Sequence, residues 1–153
     1  MDVCTWILEI IRLAELGPTG RALRGPKELL AKIESERQEL LEAIATGNVA
    51  GTLEELGDCF GYYEGLALFN GLKWANDDNS FELLKKATAV LRARYPRLDA
   101  VAAHQLARKV AVAKYTERFV RNKGRKDKAA EYAAILAAGD AWYRTVYQEE
   151  PNV

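Results

Sequence analysis

Apolar residues in this chain recur at three- and four-residue spacings almost from end to end, and glycine or proline interrupts them about once per helix length. That periodicity commits the chain to helices, since a strand needs alternation and none rises above the background. Helices are expected over 3–15, ended by Gly17-Pro18; from Pro26 to about Thr46, ended by Gly47-Asn48; and from about Thr52 to Leu72. Three more are expected over 80–94, stopped before Pro96, over 99–122, ended near Gly124, and over 127–148. Pro26 suits a first helical turn, and Asn79 with Glu82 three residues on reads as a cap. GPTGRALRGP at 17–26 reads as a loop and WANDDN at 74–79 as a polar turn. With 153 residues and no internal repeat, the expectation is a single all-α domain over 1–153, a bundle of five to six helices with short connections.

At 49% hydrophobic and formal net charge zero, the chain can build a core and gives no global argument for nucleic acid or a membrane surface. No window of about 18 apolar residues exists, so no membrane span is expected. The N-terminal MDVCTWILEIIRLAEL carries Asp2, Glu9 and Arg12 within its apolar stretch and does not read as a signal peptide. Two cysteines, Cys4 and Cys59, make neither a disulfide framework nor a zinc site, and fit reduced thiols in a cytoplasmic protein.

Charge is distributed unevenly. Residues 34–78 carry ten acids and two bases, while residues 105–128 carry nine bases and two acids. Such opposed fields either neutralise each other or flank a ligand that needs both, such as a metal-bound polyphosphate.

Within KIESERQELLEAIATGNVAGTLEELGDCF, residues 32–60, two acidic pairs stand out. Ile33, Leu40 and Ile44 share one helix face; Glu36 lies at the edge of that stripe and Glu39 one step further round, three residues apart. Taken alone, this pair reads as readily as a solvated flank. In the next helix Leu53, Leu56, Phe60, Tyr63 and Ala67 form one apolar face. Glu55 and Asp58 lie on another, below Tyr62, Leu66 and Phe69. A helix apolar on most sides is buried, and charges within it need partners, because desolvation costs several kcal/mol per ion. Four carboxylates from two helices cannot neutralise one another, whereas a divalent cation can. The oxygen donors suit Mg²⁺. No histidine or cysteine sits at a matching position, which argues against zinc and against a di-iron site built on Glu-x-x-His. Glu55 has a second reading, as the partner of Thr52 in a capping box. Gly57, Gly61 and Gly65 recur every four residues, which points to close approach of another helix or a partner chain.

At these residues the sequence resembles the MazG-like all-α nucleoside triphosphate pyrophosphohydrolase superfamily, which also holds the dimeric dUTPases and the phosphoribosyl-ATP pyrophosphohydrolases. The family pattern is Glu-Glu-x-x-Glu, a gap, then Glu-x-x-Asp. Here the blocks are Ser35-Glu36-Arg37-Gln38-Glu39 and Glu54-Glu55-Leu56-Gly57-Asp58, with looser agreement over about 27–121. The resemblance implies that Glu36, Glu39, Glu55 and Asp58 are the catalytic Mg²⁺ ligands, with Mn²⁺ as a substitute. Ser35 departs from the family's glutamate and leaves the metal count open. Lys114-Tyr115-Thr116-Glu117-Arg118-Phe119 resembles the family's phosphate-meeting Lys-x-x-x-Arg segment; independently, Lys114, Arg118 and Arg121 fall on one helical face. The bland reading of that face is a solvated basic surface.

The implied activity is hydrolysis of a (d)NTP to monophosphate and pyrophosphate, cleansing the nucleotide pool, by a homodimer or homotetramer. Trp74, Tyr62 and Trp6 are candidates to stack on a base, with core packing as the alternative. His104 reads as structural or as a surface residue. Arg21 and Arg24 read as part of a solvated connector before phosphate ligands. The alternatives are a non-catalytic helical interaction module, a dUTPase or phosphoribosyl-ATP pyrophosphohydrolase within the same class, and, behind these, a nucleic-acid-binding bundle using residues 105–128. The helix over 126–148 has no assigned role.

Overall fold

The computed structural model describes residues 26–70 and 78–153, which hold five α-helices and no strand. The expected helix over 3–15, the loop after it and Trp74 lie outside the described residues. The all-α expectation is met.

Helix α1 spans Pro26–Thr46 and α2 spans Val49–Asn70. Gly47, at φ +69, lets the chain leave α1 in the left-handed region. Asn48 then starts α2, its side-chain oxygen accepting the Gly51 N–H at 2.9 Å. The helix therefore begins before Thr52, whose own N–H already donates to the Asn48 carbonyl at 2.8 Å. Thr52 is not the cap, and Glu55 is not half of a capping box. Helix α3 spans Asp78–Leu91, so it starts one residue ahead of the cap expected at Asn79. Helix α4 spans Ala100–Thr116, capped by Asp99 through the Ala102 N–H at 2.8 Å. It runs on into a π turn, Glu117–Arg121, in which the Asn122 N–H reaches back five residues to the Glu117 carbonyl. Helix α5 spans Lys128–Tyr147, capped by Asp127.

Helix α2 packs against all four other helices. Apart from Glu55, every residue from Ala50 to Cys59 is buried, as an apolar-on-most-sides helix should be. The core gathers Leu40, Leu53, Leu56, Leu91, Leu98, Leu106, Val110 and Ile135, none more than 1% exposed. Each such side chain contributes roughly 1.5–3 kcal/mol from burial. A Cβ on Gly57 would lie 3.0 Å from the Ala107 carbonyl oxygen, so this glycine lets α2 approach α4 of the same chain. At the far end, Arg94 donates to both Asp140 oxygens at 2.8 and 2.7 Å, and Tyr95 Oη donates to one of them at 2.9 Å. That cluster pins α5 against the turn after α3. No helix among the described residues is long and apolar enough to cross a membrane.

Candidate metal and phosphate site

A cavity of about 740 Å³ opens between α1 and α2 on one side and α4, the π turn and α5 on the other. Helix α1 supplies Glu36 and Glu39 to its wall, and α2 supplies Glu54, Glu55 and Asp58. Lys114, Arg118, Lys126 and Lys128 face them. The two charge-biased segments of the sequence are thus opposite walls of one space.

The carboxylates form two overlapping groups. Oxygens of Glu36, Glu39 and Glu55 lie within 4.8 Å of one another, and so do oxygens of Glu54, Glu55 and Asp58. Glu55 belongs to both. One oxygen each of Glu36, Glu54 and Glu55 is shut off from solvent with no hydrogen-bond partner among the described residues. Burial, then the charge of Asp58, pushes the Glu36 pKa up to about 8. The same two causes push Glu55 up to about 10. At neutral pH, then, Glu36 and Glu55 hold protons when no cation is bound. These are hard oxygen donors turned toward a polar cavity, and they fit a hard divalent ion. The neighbouring Cys59 thiol is a poor ligand: burial, then Asp58 and Glu36, raises its pKa well above the ordinary value.

The basic wall is built from buried pairs. Lys114, 2% exposed, donates to both Asp58 oxygens at 3.1 and 2.9 Å and lies 3.4 Å from Glu54. Burial lowers the Lys114 pKa, but Asp58 and Glu54 outweigh it and the net shift is upward. Tyr115 Oη donates to Asp58 Oδ1 at 2.8 Å. Lys128 donates to Glu54. For Glu54, burial raises the pKa, and Lys114 with Lys128 overcomes it, so the carboxylate stays ionised. Arg118 makes a forked contact with Glu131, at 2.6 Å from Nη2 and 3.2 Å from Nε. Its guanidinium also lies 5.5 Å from the Tyr115 ring centre.

Of the residues expected from the sequence, Glu36, Glu39, Glu55, Asp58, Lys114 and Arg118 all line the cavity. Ser35 lines it too, as a neutral hydroxyl. Arg121 does not; its side chain is 74% exposed and pairs with Glu117 at 3.2 Å. The cause is the π turn, whose wider i→i+5 closure advances each residue by less than an α-turn does and drops Arg121 off the Lys114–Arg118 face. Trp74 lies outside the described residues. Half-buried on α4, His104 has a pKa lowered to about 4 by burial, with Arg108 adding to it, so it is neutral at physiological pH.

Three participants were missed. Glu54 stands in the second acidic block without an assigned role, and nothing in the sequence pattern singles out Lys128 or assigns Glu131 to the site. Glu131 carried a signal: it stands in line with Ile135, Gly139 and Tyr143 at four-residue spacing, all buried. An acid on the buried stripe of an alanine-rich helix demands a cation.

No family model, curated protein or solved structure matches the chain. The functional reading rests on its own residues.

Proposed function

We propose that this protein is a Mg²⁺-dependent hydrolase that converts a nucleoside triphosphate to its monophosphate and pyrophosphate. The observation that carries the reading is the pairing across one cavity of partnerless buried carboxylate oxygens with a wall of lysine and arginine. A polyphosphate with its metal is a ligand that needs both.

Glu36, Glu39 and Glu55, with Asp58 beside them, surround the place for the cation. A divalent ion there supplies Lewis-acid polarisation of a phosphoryl oxygen and lowers the pKa of water. The chain's own groups do the rest. Arg118, its fork held by Glu131, and Lys128 with Lys126 at the mouth offer positive charge to the departing pyrophosphate. One of the site glutamates accepts the proton of the attacking water. The buried setting strengthens each of these contacts relative to bulk water. Nucleotide-pool cleansing in the cytoplasm accords with the free Cys59 thiol. Assembly as a homodimer or homotetramer belongs to the same reading and gains nothing from Gly57, which packs within the chain.

A second reading has one observation in its favour. Lys114 and Lys128 neutralise Asp58 and Glu54 directly, as a non-catalytic helical module with complementary halves would. One experiment separates the two: pyrophosphate release from a panel of normal and damaged (d)NTPs, with and without Mg²⁺, for wild type and Glu39→Ala. The proposal expects Mg²⁺-dependent release that the variant loses. No turnover of any substrate, together with no metal binding, would leave the module.

A further inference from the structure

The two overlapping carboxylate groups define two adjacent cation positions that share Glu55. They differ in what already stands there. At the Glu54–Glu55–Asp58 position, the Lys114 ammonium lies 2.9 and 3.1 Å from the two Asp58 oxygens and 3.4 Å from Glu54. Asp58 accepts a further hydrogen bond from Tyr115 at 2.8 Å, so both its oxygens are engaged. The Lys114 side chain is 3% exposed, so the ammonium stands among these oxygens with almost no solvent contact. A divalent ion entering here would meet a buried like charge at close range, and would have to break the three hydrogen bonds that Lys114 and Tyr115 give Asp58. Oε2 atoms sealed from solvent and without a hydrogen-bond partner among the described residues occur at both positions, on Glu54 and Glu55 here and on Glu36 and Glu55 at the Glu36–Glu39–Glu55 position, so it is the ammonium between Glu54 and Asp58 that tells the two apart.

We infer that Lys114 is a resident counter-ion at the second position, so that the site takes one divalent ion per chain, on Glu36, Glu39 and Glu55, with Asp58 not a ligand. The inference rests on the reading that this acidic cluster binds a divalent ion. It assigns Asp58 a positioning role: it fixes Lys114, which in turn holds Glu54.

The test is the stoichiometry of Mn²⁺ binding, followed by electron paramagnetic resonance and calorimetry on the full chain at neutral pH. Wild type is expected to bind one Mn²⁺ per chain. Lys114→Met, which removes the ammonium from between Glu54 and Asp58, is expected to bind two. Asp58→Asn is expected to bind one with affinity close to wild type, whereas loss of a true ligand would weaken binding at least as much as the 10–100-fold typical of outer-sphere partners. Should Lys114→Met fail to fold, Asp58→Asn still decides. Two ions per wild-type chain, or a loss of about tenfold or more in Asp58→Asn, would overturn the inference while leaving a metal-dependent hydrolase standing. No Mn²⁺ binding at all would overturn both.

Discussion

Lys114 and Asp58, 56 positions apart in sequence, meet in a buried ion pair of 2.9 Å. The pair fastens α4 to α2 at the floor of the cavity. Removing Lys114 leaves the buried Asp58 with only the Tyr115 hydroxyl as donor, and breaking a buried pair in this way costs about 3–5 kcal/mol. Lys114→Met should therefore lower stability by about that much, measured by urea unfolding with a chelator present. Adding Asp58→Asn to Lys114→Met should recover part of the loss, because the stranded charge is gone. A double variant less stable than Lys114→Met alone would contradict this.

Arg118 and Glu131 form the second buried pair. Glu131 is fully buried and Arg118 is 8% exposed. Glu131→Ala should cost about 3–5 kcal/mol by the same argument. It should also lower pyrophosphate release, since the Arg118 fork loses the contact that orients it. Replacing both residues with leucine should restore more stability than activity. Stability and activity recovering together would mean that Arg118 does not meet the substrate.

The fold was largely legible in the sequence because helices here are marked locally. Pro26, Gly47, Asp99 and Asp127 each act within a turn of their own position. Where two local signals competed, the nearer one to the preceding helix won: Asn48 starts α2, and Thr52 is absorbed into it. The acidic half of the site was legible because Glu36 and Glu39, or Glu55 and Asp58, are three apart on one helix. The partners of Lys114 and Arg118 were not legible, because Asp58 and Glu131 come from other helices, and helical periodicity carries no information about which helix is opposite. Arg121 was misplaced for a different reason: nothing in Glu117-Arg118-Phe119-Val120-Arg121 announces that the α-ladder widens to a π turn.

Gly57 fixes how closely α2 and α4 approach. Alanine there would gain about 1 kcal/mol of helix propensity. Its Cβ would press on a backbone oxygen at 3.0 Å, which cannot rotate away as a side chain can. Overpacking of this kind costs about 1–3 kcal/mol. Gly57→Ala should thus be net destabilising, and should also weaken metal binding by displacing Glu55 relative to Glu36 and Glu39. A midpoint of urea unfolding equal to or above wild type would show that the helices can separate freely.

The raised carboxyl groups give the metal-free protein a particular pH dependence. Glu36 and Glu55 have ordinary pKa values near 4.5 and folded values of about 8 and about 10. Between those limits the folded chain holds protons that the unfolded chain has released, so stability falls as pH rises. The contribution is complete below about pH 4.5 and is lost as pH climbs through about 8 and then about 10. Glu54 runs the other way, since its lowered pKa adds stability that is lost only in acid. In chelator, the melting temperature should drop steadily from about pH 6 to about pH 9. On the proposed reading Mg²⁺ would replace the protons and flatten that slope, adding about 2.7 kcal/mol where its concentration is 100 times Kd. Glu55→Gln, which cannot ionise, should flatten the slope in chelator as well and abolish the response to Mg²⁺. A wild-type melting temperature in chelator that is level across this range would mean the cluster is neutralised by something other than protons.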